Sequence, residues 1–146
     1  MGPSRVMVLY VPDWPIVAAR ADENLQLAIE HPVAISTHGV IAHCCPEART
    51  RGVSLGQRVR DAQASCPALT VLASQPERDW RLWNQVLSSL HDTVAQVSVI
   101  EPGLIVMKSS GLARYYGSEH RAGAQLLRAL DAEIGQIPAR VTTADT

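Results

Sequence analysis

Apolar side chains follow two spacings along this chain, one typical of strands and the other of helices. Residues 5–11 form an almost unbroken apolar run, which predicts a central strand buried on both faces. Residues 76–94 instead carry apolar side chains at three- and four-residue steps, which predicts a long helix with Trp80 and Trp83 in the core. A second stripe of this kind predicts another helix over residues 118–134.

Shorter apolar runs predict most of the remaining elements. A helix entered through Pro15 is expected over residues 14–20, and a helical turn over residues 111–116. Thr37, His38 and Gly39 form a short link suited to a hairpin turn. Further strands are predicted at residues 32–36, 40–43, 69–73, 97–100, 104–107 and 139–143.

A pair of short helices is predicted between the third and fourth strands. Pro46 suits a first helical position, where a missing amide costs nothing, and Gly52 can take the positive φ of a helix end. A second helix is expected to open at Ser54 or Gly56 and to stop before Pro67.

The order of elements predicts the fold class. Without residues 21–74, the chain is a β-α-β-β-α-β unit. We therefore expect an α+β protein with a ferredoxin-like antiparallel sheet, helices on one face, and an inserted small, mainly helical subdomain.

Composition narrows the class of protein. A length of 146 residues corresponds to about one domain, and a hydrophobic content of 47% is enough for a core. The net charge of −1 gives no overall sign of nucleic-acid binding. Adjacent cysteines such as Cys44 and Cys45 rarely bridge each other, which favours a reduced, cytoplasmic setting. No apolar run approaches the ~18 residues of a membrane span.

The local charge of the predicted helical pair differs from that of the whole chain. Its acids are Glu47 and Asp61, and its cations are Arg49, Arg51, Arg58 and Arg60. Such a unit suits a phosphate-bearing partner, but charge alone favours an ordinary solvated helix face.

Metal chemistry has few candidate ligands in this sequence. A sheet of this kind often hosts two-metal phosphoryl transfer, which needs carboxylates at the end of the first strand and in the central hairpin. Only Asp13 and Glu101 are available there. Asp13 is also suited to cap a helix, and Glu101 to a turn beside Pro102.

A zinc site is not predicted, because the spacing of the thiols and the imidazole does not match a tetrahedral knuckle. We expect buried thiols instead. The residues concerned are His43, Cys44, Cys45 and Cys66.

Residues 48–69, ARTRGVSLGQRVRDAQASCPAL, resemble the fingers of Y-family translesion DNA polymerases. VMVLYVPDWPIVAA is similar to the first palm strand and helix of that family, and VSVIEPGLIV to its central hairpin. The resemblance implies a palm at residues 1–20 and 75–146 and fingers at residues 21–74. It also implies thumb and little-finger domains beyond Thr146.

The chain departs from this family at the positions of the metal-binding acids. Pro12, Trp14 and Ile100 stand where the resemblance implies three acids, and only Glu101 is kept. Asp13 falls between two of these positions. The usual aromatic steric gate is missing from residues 15–17.

The resemblance also implies a remnant of a nucleotide site in the fingers. Arg49 matches the arginine that binds the triphosphate, and Pro46 replaces the tyrosine that contacts it. Arg51, Arg58 and Arg60 become candidate contacts to DNA phosphates.

This pattern resembles the ImuB branch, whose members are regarded as catalytically degenerate. It implies a scaffold in damage-induced mutagenesis that binds an error-prone replicative-type polymerase, a RecA-like accessory protein, the sliding clamp and DNA. No cofactor is then expected. Mg²⁺ would be needed only by an alternative, an active polymerase with an atypical site at Asp13 and Glu101. Two further alternatives are a DNA- or nucleotide-binding module without chemistry and an unrelated ferredoxin-like domain.

Overall fold

A computed structural model describes residues 5–22, 28, 30–90, 97–108, 117–134 and 139–145. The chain forms two compact units: unit 1 comprises the described parts of Met1–Pro12 and Trp80–Thr146, and unit 2 those of Asp13–Asp79. The palm and fingers boundaries given above stay a prediction. The elements, in chain order, are β1 (Arg5–Tyr10), α1 (Trp14–Ala21), β2 (Val33–Thr37), β3 (Val40–Cys44), α2 (Pro46–Thr50), α3 (Val59–Ser65), β4 (Thr70–Ala73), α4 (Pro76–Leu90), β5 (Val97–Glu101), β6 (Leu104–Lys108), α5 (Glu119–Ile134) and β7 (Arg140–Asp145).

Unit 1 contains the predicted ferredoxin-like sheet. Its strand order is β5-β6-β1-β7, and every neighbouring pair is antiparallel. β1 lies in the middle of this sheet, where Met7 is the register partner of both Met107 and Thr143. The α+β class and the ferredoxin-like antiparallel sheet are therefore confirmed.

Only one face of β1 is buried, so the prediction of burial on both faces was wrong. Met7 and Leu9 are inaccessible to solvent, whereas Tyr10, on the opposite face, is 42% exposed. Along an extended strand, alternate side chains point to opposite faces. An antiparallel sheet commonly has one face against the core and the other partly open to solvent. The unbroken apolar run of β1 does not reveal this difference between its two faces.

Helix α5 packs against the edge strand β7. Ser118 caps the helix as the sequence suggests, since its hydroxyl accepts a hydrogen bond from the backbone nitrogen of Arg121 at 3.1 Å. Gly123 permits close packing, because a Cβ placed there would lie 3.3 Å from Cγ1 of Val141. The apolar stripe of the helix is buried at Ala122, Leu126 and Leu130.

Unit 2 contains a second sheet, of three strands in the order β3-β2-β4. β2 is antiparallel to β3 and parallel to β4, and its residues Val33, Ala34 and Ile35 are fully buried. The inserted segment is therefore mixed rather than mainly helical. The expectation of buried thiols is confirmed, because Cys44, Cys45 and Cys66 all belong to the core of this unit.

The link between β2 and β3 is a tight hairpin turn, as predicted. His38 has a φ of 51° and Gly39 a φ of 79°. Positive φ at both central residues matches the right-handed twist of the two strands.

The helical pair is confirmed, with a later start for its second member. Gly52 ends α2 with a φ of 95°. Helix α3 begins at Val59 rather than at Ser54 or Gly56, because the preceding segment runs along β3. In that segment the Gly56 nitrogen donates to the Ile41 oxygen, and the Ile41 nitrogen donates to the Gln57 oxygen, both at 2.8 Å.

Helix α4 keeps most of its predicted apolar stripe. Trp83, Val86 and Leu90 are buried, whereas Trp80 is 43% exposed, so its assignment to the core was wrong. Residues 91–94 and the predicted turn at 111–116 lie outside the described residues. Within the described parts of the chain, no helix is both long and apolar enough to cross a membrane.

Candidate functional site

In unit 1, the end of β1 lies beside the turn between β5 and β6. The backbone nitrogen of Val11 donates a hydrogen bond to the oxygen of Gly103 at 2.7 Å, and Pro12 follows directly. The register of β5 shifts between Val99 and Glu101, which makes Ile100 the extra residue of a β-bulge. Three of the predicted positions, Pro12, Ile100 and Glu101, therefore come to the same end of the sheet.

The carboxylate chemistry at this end of the sheet is sparse. Glu101 is exposed and pairs in register with Leu104. Among the described residues there is no group of three or more His, Cys, Asp or Glu side chains that could hold a metal ion. The described residues at this end of the sheet do not supply the several converging carboxylates that a two-metal centre needs.

Trp14 opens helix α1 in unit 2 and has a clear packing role. Its side chain is 2% exposed, and the indole nitrogen donates a hydrogen bond to the backbone oxygen of Asp79 at 2.9 Å. A buried indole that satisfies its N–H in this way is a strong structural anchor. Trp14 thus connects α1 to the first turn of α4.

Asp13 precedes Trp14 and has an unusual backbone conformation. Its φ of 52° and ψ of 45° are left-handed, and although it takes the N-cap position, its side chain makes no capping hydrogen bond. Both carboxylate oxygens instead lie 3.1 Å from Nη2 of Arg49. The capping interpretation of the Asp13 side chain was therefore wrong.

Arg49 lies in the last turn of α2 and is the cationic partner of Asp13. The side chain of Arg49 is 47% exposed and that of Asp13 is 21% exposed. Hydrogen bonding with the Cys44 side chain and the negative charge of Asp13 raise the pKa of Arg49, although partial burial opposes them. The guanidinium is thus a permanent cation that this structure neutralises with an internal carboxylate.

The other arginines of the helical pair are on the surface of unit 2. Arg51 takes the C-cap position of α2, Arg58 pairs with Val40 at the edge of β3, and Arg60 lies in the first turn of α3. All three are exposed, and no salt bridge joins them to a carboxylate within the described part of the chain. Their role in phosphate binding stays a prediction.

A buried ion pair at the start of α4 was missed by the sequence analysis. Arg78 is 4% exposed and Asp79 is 7% exposed, and Nη2 of Arg78 lies 3.2 Å from Oδ1 of Asp79. Burial raises the pKa of Asp79, while the positive charge of Arg78 and the hydrogen bond from its guanidinium act to lower it. An acid near a helix start looks like a dipole partner in a sequence, and nothing in the pattern shows that it is buried.

Comparison with known protein families identifies the family of this chain. A profile of the impB/mucB/samB family matches residues 15–146, nearly the whole chain. The chain belongs to the impB/mucB/samB family. A search of the curated proteins finds no significant relative.

Solved structures with the same fold are Y-family DNA polymerases. A ternary complex of Dbh matches with a TM-score of 0.73 at 16% identity, and covers 96% of this chain and 41% of its own. DinB from Sulfolobus solfataricus matches with a TM-score of 0.69 at 15% identity, over 96% of this chain and 42% of its own. A post-insertion binary complex of Dbh gives 0.75 at 15% identity over similar shares.

These likenesses, at such low identity, establish the fold of a Y-family polymerase-like domain. The chain spans about two fifths of the length of these polymerases. Any activity that depends on the rest of such a protein is therefore a matter for proposal.

Proposed function

We propose that this chain is the polymerase-like part of a protein of the ImuB branch, which acts as a non-catalytic scaffold in damage-induced mutagenesis and translesion DNA synthesis. The observation that supports it best is Trp14, which fills a family acid position with a buried indole bonded to Asp79. An acid there would lose both the packing and the hydrogen bond.

The environment of the remaining acids supports the same proposal. Asp13 is paired with Arg49, and Glu101 is the one acid kept at a family metal position. Two-metal transfer depends on carboxylates that hold both ions against the attacking and leaving oxygens. Loss of preorganised charge of this kind commonly costs most of the rate. No cofactor is part of the proposed function.

DNA is the partner that the fold suggests first. Solved structures that share this fold include complexes of Dbh DNA polymerase. On this chain, the exposed side chains of Arg51, Arg58 and Arg60 are proposed contacts to DNA phosphates. The further proposed partners are an error-prone replicative-type polymerase, a RecA-like accessory protein and the sliding clamp, bound mainly through regions outside this chain.

A mutagenesis assay in cells tests the scaffold role. Cells that lack the protein are complemented with the full-length wild type or with its Glu101→Ala variant, at matched protein levels. The proposal predicts equal damage-induced mutation frequencies, because the last acid at a family metal position has no catalytic duty. A variant that accumulates normally yet fails to restore mutagenesis would instead favour the alternative, an active polymerase that uses Mg²⁺ at Asp13 and Glu101.

A further inference from the structure

The pair formed by Asp13 and Arg49 places an internal anion on an otherwise accessible cation. Nη2 of Arg49 lies 3.1 Å from both carboxylate oxygens, and almost half of the arginine side chain is exposed. A guanidinium has five N–H donors and binds carboxylate and phosphate groups by the same geometry. A carboxylate at this distance therefore competes directly with any phosphate that approaches Arg49.

The backbone of Asp13 is arranged to bring this carboxylate to the arginine. Its backbone is in the left-handed region, which residues other than glycine seldom adopt. Its side chain also accepts no hydrogen bond from the backbone of the helix that it precedes. The local conformation is thus better explained by the ion pair than by helix capping.

The charges around Arg49 point to the kind of ligand that is excluded. Arg51 comes two residues later along the chain, at the C-cap of α2, and is also exposed. Asp13 is the carboxylate in direct contact with Arg49. Without its negative charge, the surface would present an uncompensated guanidinium, which favours phosphate groups.

We infer that Asp13 is an internal competitor that occupies Arg49 and lowers the affinity of this surface for phosphoryl oxyanions. Two sources share this chemistry: the phosphates of a free nucleotide and the backbone phosphates of DNA. The inference deepens the proposed function, on which it rests for the phosphate-facing role of Arg49. The scaffold proposal and this inference can fail separately. Catalysis by the full-length protein would refute the scaffold proposal, but it would not decide whether Asp13 blocks phosphate binding at Arg49.

The test compares affinities of four forms of this chain for inorganic triphosphate by calorimetry at low salt. They are the wild type, Asp13→Asn, Arg49→Gln and the double variant. Asparagine keeps the size and tolerates the left-handed backbone while it removes the charge. We expect Asp13→Asn to bind about two- to fivefold more tightly than the wild type, and the double variant to lose this gain.

A parallel titration with a short single-stranded DNA lacking terminal phosphates separates the two sources. If Asp13→Asn binds only triphosphate more tightly than the wild type does, the surface is assigned to the phosphates of free nucleotides. If it binds only DNA more tightly, the surface is assigned to backbone phosphates. The inference is overturned if Asp13→Asn binds neither ligand more tightly than the wild type does. It is also overturned if the increase in affinity persists in the double variant, which lacks Arg49. Circular dichroism checks folding, and Asp13→Gly, which suits positive φ, replaces the asparagine variant if that variant does not fold.

Discussion

The indole nitrogen of Trp14 donates a hydrogen bond to the backbone oxygen of Asp79, across a distance of 2.9 Å. This bond joins the first residue of α1 to the first turn of α4 within unit 2. The resemblance to Y-family polymerases implies a metal-binding acid at this position. In this chain the position is occupied by Trp14, whose side chain is buried in the core. The core of unit 2 therefore uses a buried indole at this position.

Replacement of Trp14 by alanine is expected to destabilise the chain strongly. Loss of a buried tryptophan typically costs about 3–5 kcal/mol in the free energy of unfolding. Trp80 is the matched control, because its side chain is 43% exposed and Trp80→Ala should cost about 1 kcal/mol or less. Urea unfolding followed by circular dichroism measures both. Equal losses for the two variants would contradict the packing role of Trp14.

The buried pair of Arg78 and Asp79 predicts a stability that depends on pH. Burial raises the pKa of Asp79 above its ordinary value of 3.8, so the folded chain binds a proton more readily than the unfolded chain. Between these two pKa values stability must therefore fall as pH rises. An Asp79→Asn variant should lack this component of the pH dependence.

Removal of Arg78 should sharpen that pH dependence. Arg78→Met leaves Asp79 buried without its cation, and loss of one partner of a buried pair commonly costs about 3–5 kcal/mol near neutral pH. The deficit relative to the wild type should shrink as the pH falls, because Asp79 then takes up a proton and no longer needs the cation. Chemical unfolding at several pH values measures it, and a deficit that is constant with pH would argue against this account.

Charge reversal of the exposed arginines should weaken DNA binding by the full-length protein. Each of Arg51→Glu, Arg58→Glu and Arg60→Glu is expected to lower affinity and to reduce the slope of log affinity against log salt by about 1. Arg128→Glu, at an exposed position of α5, is the matched control. Fluorescence anisotropy over a range of salt concentrations reports both quantities. If the control loses as much as the others, the effect is one of net charge and the arginines are ordinary surface residues.

The glycine that ends α2 is expected to tolerate substitution poorly. Gly52→Ala would hold an alanine at a φ of 95°, with its Cβ 3.4 Å from Cβ of Ser65, and should cost about 1–3 kcal/mol. Gly56→Ala shares the positive φ but meets no atom within 4 Å, so it measures the backbone term alone. Thermal unfolding of both variants gives the comparison, and a Gly52→Ala variant as stable as the wild type would rule out the strained geometry.

Much of the fold could be predicted because its signals are local. The strands of unit 1, the positive φ of Gly39 and Gly52, and the cap at Ser118 all follow from spacing and turn chemistry. The start of α3 could not be predicted in this way. Hydrogen bonds between β3 and residues 56 and 57 decide it, and these depend on the tertiary arrangement.

The candidate site shows where such prediction ends. Sequence reasoning found Asp13, Trp14 and Arg49 and noted the missing acids. It did not foresee that Asp13 binds Arg49 or that Trp14 bonds to Asp79, since these partners lie 36 and 65 residues away along the chain. Nor does the spacing of Arg78 and Asp79 reveal their burial, because adjacent charged residues at a helix start are usually solvated.

The most direct test of the central claim is primer extension by the full-length protein. Single-turnover incorporation on a primed template is measured with Mg²⁺ and Mn²⁺, for the wild type and Glu101→Ala, beside an active Y-family polymerase. The account predicts no templated incorporation above background by either form. Templated incorporation by the wild type that is abolished in Glu101→Ala would contradict it.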